Sequence, residues 1–188
     1  MSYFPIFLQM QEQKVLIVGG GTIAAQKLSA LLQFTNDITL IAKEVGDETE
    51  RLVEAHGLKL YRRAYEKGDI LGFAIVIVAT DTVSLQQAIF EESRPYRILV
   101  NAVDNTDYCD FIFPSVLQRG ELMIAFSTQG ASPAFTKQLR HYFEARIPEG
   151  VGSFLSEMRH LRKHLPKGRS RMAKFEKMVL SYFQEHFK

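Results

Sequence analysis

The sequence predicts an α/β fold with a parallel β-sheet, followed by a β-hairpin and helix and then by a small C-terminal helical domain. The apolar run Val15–Val18 leads through three glycines into a helix-forming segment, which is typical of a Rossmann-type sheet. The run Phe73–Thr80 has no polar alternation, as expected of a parallel strand that is buried on both faces. Two later runs flank Arg119-Gly120 and predict the hairpin.

The three glycines resemble a dinucleotide-binding fingerprint, because residues 19–24 fit G-x-G-x-x-A. Gly19 permits the tight turn, Gly21 lets the backbone approach a pyrophosphate, and Ala24 lets the helix pack closely on the strand. The free N–H groups and the positive dipole end of helix 24–32 would face the phosphates. We therefore expect nucleotide binding here; the alternative is an ordinary turn in a domain that binds no nucleotide.

The end of the second predicted strand, Ile38–Ala42, is where an acidic residue usually holds the adenosine ribose, about 20 residues past the glycines. Lys43 and Glu44 stand there. Glu44 could accept hydrogen bonds from the ribose hydroxyls of NAD, whereas Lys43 could suit the 2′-phosphate of NADP. Both could also be solvated surface charges, so the residues alone leave these alternatives open.

The rest of the predicted sheet brings two more polar loops to the same edge. A helix over 45–56, a strand over 58–61, the buried strand over 73–80, a helix over 84–92 and a fifth strand over 98–100 follow in order. The buried strand ends at Thr80, on the carboxyl edge where ligands of open α/β sheets lie, so we assign Thr80 to cofactor binding. Loop 101–107 follows the fifth strand and is the best candidate for chemistry, although Asn and Asp also favour simple turns.

Within that loop, Asp104 is the candidate catalytic residue. Its carboxylate would lie near a nicotinamide ring held by the glycines, where it could accept a proton from a substrate that has lost hydride. Asn101 would shape the loop and belongs to the candidate substrate-binding set, and Asp107 is the alternative acid.

The predicted hairpin, 111–118 and 121–127, carries large apolar residues that one small sheet cannot cover on both faces, so we expect it to pair with a second copy of the chain. A helix over 134–146 follows, with Ser132 as its N-cap and Pro133 as its first residue. The preceding hydroxyls of Ser127 and Thr128, with Gly130, form a candidate anion-binding and substrate-binding loop.

Residues 148–188 have helical periodicity and contain a strongly basic stretch, Arg159–Lys174, which we call the basic segment. It has seven Lys and Arg residues, and no acidic residue lies between Met158 and Phe175. Such a segment could bind nucleic acid, a membrane surface or a polyanionic small molecule, or it could be a solvated helical face. Aromatic residues are not interleaved with the charges, which disfavours a nucleic-acid platform.

Composition sets further limits. At 188 residues the chain can form one α/β domain with an appendage, and a net charge of +2 gives no overall field that favours nucleic acid. The single cysteine, Cys109, excludes an intrachain disulfide and fits a reducing compartment. The first ten residues lack the basic start of a signal peptide, and Phe73–Ala79 is too short for a membrane span. We therefore expect a cytoplasmic protein without a membrane partner, and no Cys or His-x-x-Glu cluster indicates a structural metal.

Several of these motifs together resemble the precorrin-2 dehydrogenase/sirohydrochlorin ferrochelatase family, the N-terminal module of siroheme synthases. The matching residues span 4–146 in the family's order: Phe4-Pro5-Ile6-Phe7, Val18–Gly21 with Ala24 and Lys27, Ala79–Asp81, Asn101–Asp104, Phe111–Ser115, and Ser127–Pro133 with Leu139-Arg140. The C-terminal helices match only in length and character.

The resemblance implies a homodimer with a Rossmann domain over 1–113, a dimerisation segment over 114–146 and a helical domain over 147–188. It implies NAD-dependent oxidation of precorrin-2 to sirohydrochlorin, with insertion of ferrous iron in bifunctional members. Residues that match the family's functional positions are Thr22, Ile23, Lys43 and Glu44 for NAD, and Asp104 for catalysis.

Two departures accompany the resemblance. Some relatives have serine where Thr128 stands, and the methyltransferase half of fused siroheme synthases is absent from these 188 residues. A tetrapyrrole rich in carboxylates gives the basic segment a ligand, so we assign Arg162, Lys163 and Arg169 to substrate binding. The competing functions are an NAD(H)-binding redox sensor that contacts nucleic acid through the basic segment, and an NADP-dependent reductase of another small molecule.

Overall fold

A computed structural model describes residues 3–187, and the chain divides into two compact units, Met1–Ile112 and Phe113–Lys188. The first unit ends one residue before the predicted end of the Rossmann domain. The second unit contains both the predicted dimerisation segment and the predicted helical domain, and a boundary between them at residue 146 stays a prediction. The ends of the predicted ranges 1–113 and 147–188, at Met1, Ser2 and Lys188, lie outside the described residues.

The first unit is the predicted parallel sheet with its helices. Its five strands have the order β3-β2-β1-β4-β5, and every pairing is parallel. The elements are β1 Val15–Val18, α1 Thr22–Leu31, β2 Ile38–Ile41, α2 Asp47–His56, β3 Lys59–Tyr61, β4 Ile75–Val78, α3 Val83–Ser93 and β5 Leu99–Ala102, with short 3₁₀ turns at Arg94–Tyr96 and Thr106–Tyr108. All residues of β1, β2 and β4 are buried, as expected of parallel strands covered on both faces. β1 and β4 are wholly apolar, and β2 contains one polar residue, Thr39.

The fifth strand of the sheet extends further than the predicted range of 98–100. Asn101 was expected in the loop, but it lies in β5 and is buried, with Asn101 aligned on Ile77 of β4. A polar residue continues the strand because its amide donates to the carbonyl of Phe111, at 2.8 Å. The chain turns back here, so that Cys109 forms an isolated antiparallel bridge with Asn101.

The second unit begins with the predicted hairpin, whose strands are β6 Ser115–Arg119 and β7 Leu122–Phe126. Three helices follow: α4 Pro133–Glu144, α5 Val151–His164 and α6 Arg169–His186. Ser132 is the N-cap of α4, as predicted, and its hydroxyl accepts the N–H of Phe135 at 3.2 Å. In the part of the chain that the structure describes, no helix is both long enough and apolar enough to cross a membrane.

The hairpin is covered on one face by its own unit, in keeping with the expectation that its two faces are not both covered. Phe126 stacks on Phe143 of α4 with ring centroids 5.4 Å apart, and Leu117 is also buried. The guanidinium of Arg119 on β6 donates to the carbonyls of Glu144 and Ile147 at the end of α4. The opposite face carries Val116, Met123 and Ala125, which are at most partly covered, and we call it the outer face.

Candidate active site

The glycine turn, Gly19–Gly21, is crowded on one side and open on the other. Gly19 has a φ of +119°, and a Cβ there would lie 2.2 Å from the carbonyl oxygen of Ala79. A Cβ on Gly20 would lie 2.4 Å from the carbonyl oxygen of Glu44. A Cβ on Gly21 would meet nothing within 4 Å. Gly19 and Gly20 are therefore required by neighbouring backbone, while Gly21 leaves the open space that a close-approaching pyrophosphate needs.

The start of α1 offers backbone donors at this open side. Gly21 is the N-cap, and no side chain caps the helix, so the first-turn N–H groups at Thr22 and Ile23 lack the usual side-chain acceptor. The side chains of Thr22 and Ile23 are exposed. The buried hydroxyl of Thr49 on α2 donates to the carbonyl of Gly21 at 3.3 Å and fixes the turn. The geometry suits an anionic group at the predicted pyrophosphate position.

Lys43 and Glu44 lie beside the glycine turn, as predicted. The N–H of Gly46 donates to the carbonyl of Gly20 at 2.9 Å, which ties the loop after β2 to the loop after β1. Both side chains are exposed. The structure places the pair after β2 and beside the glycine turn, and both its contact with the ribose and the choice between the two residues stay predictions.

Thr80 borders the point where the strand order reverses, between β1 and β4. Ligands of open α/β sheets bind in the crevice at such a point. Its hydroxyl accepts the N–H of Thr82 at 3.3 Å, and its carbonyl accepts the side-chain amide of Gln86 at 2.7 Å. The two loops that border the crevice are thus held by close contact, Gly19 against Ala79, and by hydrogen bonds around Thr80.

Asp104 lies two residues after the end of β5 and is exposed at the same edge of the sheet. Its φ is +58°, a left-handed conformation that Asp and Asn tolerate better than most residues. The N–H of Val103 donates to the carbonyl of Val78 at 3.0 Å, which anchors the loop to β4. The structure therefore brings the candidate acid to the edge that carries the glycine turn and Thr80.

Lys27 on α1 lies near Asp104, and sequence reasoning gave it no role. The side chain is half-buried, and burial lowers the pKa of its ammonium below the ordinary value. Asp104 and Cys109 attract the positive charge and oppose that shift. The spacing could have identified Lys27. It lies three residues after Ala24, which packs on the sheet, and residues three apart share one side of a helix.

Asn101 and Cys109 hold the chain around this loop. The thiol of Cys109 donates to the carbonyls of Ala102 and Asn105, at 3.1 and 3.2 Å, and burial raises its pKa. The amide of Asn101 lies 3.5 Å from the sulfur of Cys109 and donates to Phe111. Asn101 thus shapes the loop, as expected, and its contact with substrate stays a prediction. Asp107, the alternative acid, is exposed in the following 3₁₀ turn.

The candidate anion-binding loop of the second unit uses its hydroxyls for its own backbone. Ser127 Oγ accepts the N–H of Gln129 at 3.0 Å, and Thr128 Oγ1 accepts the N–H of Ser132 at 2.9 Å. Gly130 has a φ of +88°, so it occupies a conformation that glycine prefers. These bonds shape the turn that leads into α4, and the role of the loop in substrate binding stays a prediction.

The basic segment spans the end of α5 and the start of α6. Three of its cations have structural partners among the described residues. Arg159 pairs with Glu121 of the hairpin at 2.7 Å, and Arg171 donates to the carbonyls of Arg162 and Leu165. The Arg162 guanidinium lies over the Phe175 ring, 5.8 Å from its centroid. Glu121 is an acid that the local sequence count missed, because it comes from another element.

The three predicted substrate residues of the basic segment are exposed but differ in setting. Arg162 and Lys163 lie in the last turn of α5, where positive charge complements the helix dipole. Arg169 lies in the first turn of α6, where positive charge opposes the dipole. A stabilising role therefore accounts for Arg162 and Lys163 but not for Arg169. Among residues 3–187, no group of three or more His, Cys, Asp or Glu side chains is placed to hold a metal ion.

Comparison with known proteins agrees with this geometry. Residues 6–115 match a family model described as NAD(P)-binding. The chain is 38% identical over 162 residues to a siroheme synthase of Pseudoalteromonas atlantica and 36% identical over 183 residues to one of Methylococcus capsulatus, covering 85% and 95% of this chain. It spans only 35% and 39% of those two relatives. A solved structure titled SirC, precorrin-2 dehydrogenase, superposes with a TM-score of 0.77 at 28% identity, over 92% of this chain and 86% of that one.

Proposed function

The chain belongs to the NAD(P)-binding family whose model it matches over residues 6–115, and on that premise we propose that it is an NAD-dependent precorrin-2 dehydrogenase of siroheme synthesis. The observation that carries this proposal is the position of Asp104, at the sheet edge that also holds the open side of the glycine turn. The similarity of the chain to siroheme synthases and to a precorrin-2 dehydrogenase supports a tetrapyrrole as the substrate class. A cytoplasmic location is part of the proposal, and the free thiol of Cys109 agrees with it.

The residues of the glycine turn and of α1 would hold the cofactor. The N–H groups at Thr22 and Ile23 bind the pyrophosphate beside Gly21, Glu44 accepts bonds from the adenosine ribose, and Thr80 borders the crevice. Bound NAD supplies the hydride acceptor. These residues would hold the dinucleotide at the carboxyl edge of the sheet, where the loop after β5 also lies.

Asp104 handles the proton in this mechanism. Precorrin-2 loses a hydride and is left as a cation that must release a proton, and the carboxylate of Asp104 both stabilises the positive charge and accepts the proton. Lys27 of α1 lies near this carboxylate, which attracts the positive charge of its ammonium. When ferrous iron is the second substrate, the same exposed carboxylate would accept the two pyrrole protons one after the other, passing the first to water before it takes the second.

The cofactor preference follows from the charges after β2. A 2′-phosphate would lie against the carboxylate of Glu44, and only Lys43 would offset the repulsion, so NAD is preferred over NADP. The test is kcat/KM with each dinucleotide for the wild type and Glu44→Gln. We expect a preference for NAD that shrinks in the variant, and comparable wild-type values for the two dinucleotides would contradict it.

The proposed homodimer uses the outer face of the hairpin, since that face holds apolar side chains that its own unit leaves at least partly exposed. Replacing Met123 with lysine should yield monomers in sedimentation at micromolar concentration. Gln118→Lys, on the same face but at a polar position, is the matched control. A wild type that sediments as a monomer would refute the dimer.

Purified protein, precorrin-2 and NAD provide the direct test of function. The expected result is formation of NADH together with sirohydrochlorin, and addition of ferrous iron then tests for siroheme. No NADH formation with precorrin-2 would overturn the proposal. Tight, salt-sensitive DNA binding in the absence of tetrapyrrole would favour the redox sensor instead.

A further inference from the structure

Gln86 is a buried polar side chain on the inward stripe of α3. The buried residues of that helix are Gln86, Ile89 and Ser93, and Gln86 is only 2% exposed. An amide in this position is costly unless its donors and acceptor are all used. A polar residue within an otherwise inward-facing stripe indicates a specific hydrogen-bonding role.

The amide of Gln86 makes three hydrogen bonds that link two loops. Its Nε2 donates to the carbonyls of Thr80 and Val103, at 2.7 and 3.2 Å. Its Oε1 accepts from the side-chain amide of Asn105 at 3.0 Å. The orientation is fixed, because a flipped amide would set its oxygen against two carbonyls and its NH₂ against another NH₂.

These partners lie on both sides of the candidate acid. Val103 and Asn105 are the residues immediately before and after Asp104, and Thr80 belongs to the loop that borders the cofactor crevice. Asp104 itself has a left-handed backbone, so its direction depends on how its neighbours are held. Gln86 therefore fixes the distance between the Thr80 loop and the Asp104 backbone.

We propose that Gln86 is a positioning residue for the dehydrogenation, acting through Asp104. This inference rests on the proposed function. Displacement of a proton acceptor by a fraction of its working distance is enough to slow the chemical step. Gln86 holds Thr80 through its backbone carbonyl, and the residues proposed for the pyrophosphate and the ribose lie in other loops, so binding should change little.

Gln86→Met is the main variant, since methionine keeps the length and shape of glutamine but has no amide. Gln86→Leu also removes the amide without burying a charge, and it serves if the methionine variant does not fold. Gln87→Met is the matched control, because Gln87 is the next residue of α3, is exposed, and bonds only to Glu91 at 2.8 Å among the described side chains. We expect Gln86→Met to lower kcat by about tenfold to a hundredfold, with NAD affinity and KM nearly unchanged.

A second readout needs neither cofactor nor substrate. In the protein alone, hydrogen exchange of the backbone amides of residues 103–105 should accelerate in Gln86→Met and stay at the wild-type rate in Gln87→Met. Unchanged hydrogen exchange in Gln86→Met would overturn the inference, because it would show that the hydrogen bonds of Gln86 do not hold residues 103–105 in place.

The double variant with Asp104→Asn separates positioning from general stability. If Gln86 acts through Asp104, Gln86→Met adds no further loss of kcat to Asp104→Asn. Losses that multiply in the double variant overturn the inference. If Asp104→Asn is impaired and Gln86→Met is normal, the role of Gln86 is overturned and the proposed function is not. If Asp104→Asn oxidises precorrin-2 at a near-normal rate, the proposed mechanism is overturned, and the role of Gln86 with it.

Discussion

The two units of the chain build their candidate sites in different ways. In the first unit, the backbone forms most of the candidate site. Neighbouring backbone leaves no room for a Cβ at Gly19 or Gly20, and strands buried on both faces end at one edge of the sheet. In the second unit, the candidates are exposed side chains on helices, such as Arg162 and Arg169. A site imposed by the backbone is readable from glycines and apolar runs, whereas a site made of surface charge is not.

The units also differ in their cores. The first unit buries every residue of three strands, whereas the apolar side chains buried in the described part of the second unit are Leu117, Phe126, Val151 and Phe175. Large side chains such as Phe135, Met172 and Phe183 stay exposed there. The second unit therefore has more to gain from a partner than the first.

The largest expected effect is the loss of activity in Asp104→Asn, a variant of the first unit. Asparagine tolerates the left-handed backbone at this position, so the variant removes the carboxylate without the strain that Asp104→Ala would add. We expect dehydrogenation to fall by roughly 10²-fold or more, with NAD binding and assembly unchanged, measured by kcat and by NAD titration. Asp107→Asn is the control. A near-normal rate would make Asp104 a turn residue and would remove the contrast between the two units.

Gly21→Val and Gly19→Val should separate the two roles of the glycine turn. A side chain at Gly21 fits the protein but occupies the space proposed for pyrophosphate, so NAD binding should weaken by about tenfold or more, equivalent to roughly 1.4 kcal/mol, with little change in thermal stability. At Gly19 the side chain meets the Ala79 carbonyl, so the melting temperature should fall. Calorimetry measures both quantities. Full NAD affinity in a folded Gly21→Val would contradict the fingerprint.

Neutralising the basic segment should produce a different defect. Glutamine at Arg162, Lys163 and Arg169 together should raise KM for the tetrapyrrole roughly threefold to thirtyfold and leave NAD affinity unchanged, because the lost contacts are exposed charge pairs. High salt should mimic the change in the wild type. Three exposed lysines of the first unit, Lys14, Lys59 and Lys67, provide the control triple variant. Unchanged tetrapyrrole kinetics would leave these positions as a solvated face.

Asp110 gives the smallest expected effect and concerns stability alone. Burial disfavours its charge, but the Arg94 guanidinium and the Val100 N–H outweigh burial and hold the pKa of Asp110 below 3.8. Its contribution is therefore complete above the unfolded pKa and is lost as the pH falls through the lowered folded value. Asp110→Asn should remove this acid-side loss, worth less than about 1 kcal/mol because the pair is partly exposed. Urea unfolding at neutral and acid pH measures it, and an unaltered pH profile in the variant would show that the pair adds nothing.

The sequence was sufficient for much of the first unit because its signals are local. Gly19–Gly21 follow an apolar strand directly, so the turn, the helix and the phosphate position could all be predicted from one stretch. The NAD(P)-binding family match confirms that cofactor class. Sequence reasoning gave Gly20 no role. A glycine is needed there because a Cβ would meet the carbonyl of Glu44, 24 residues later, and local spacing does not show which loops are in contact.

Partners from distant elements explain the other omissions. Gln86 was treated as part of an ordinary helix, although its partners Thr80 and Val103 lie on two separate loops. Arg159 was counted as an uncompensated charge, although Glu121 of the hairpin neutralises it. In each case the residue type was visible, and only the fold could supply its partner.

The antiparallel return of the chain at Cys109 has a consequence for how the protein behaves when concentrated. β5 is an outermost strand, and its outward N–H and C=O groups at Val100 are both taken by Asp110, at 2.8 Å each. An edge with such groups free recruits strands from other molecules and seeds aggregates. Here the chain supplies its own blocking segment, so the groups of Val100 are closed to a strand from a neighbouring molecule.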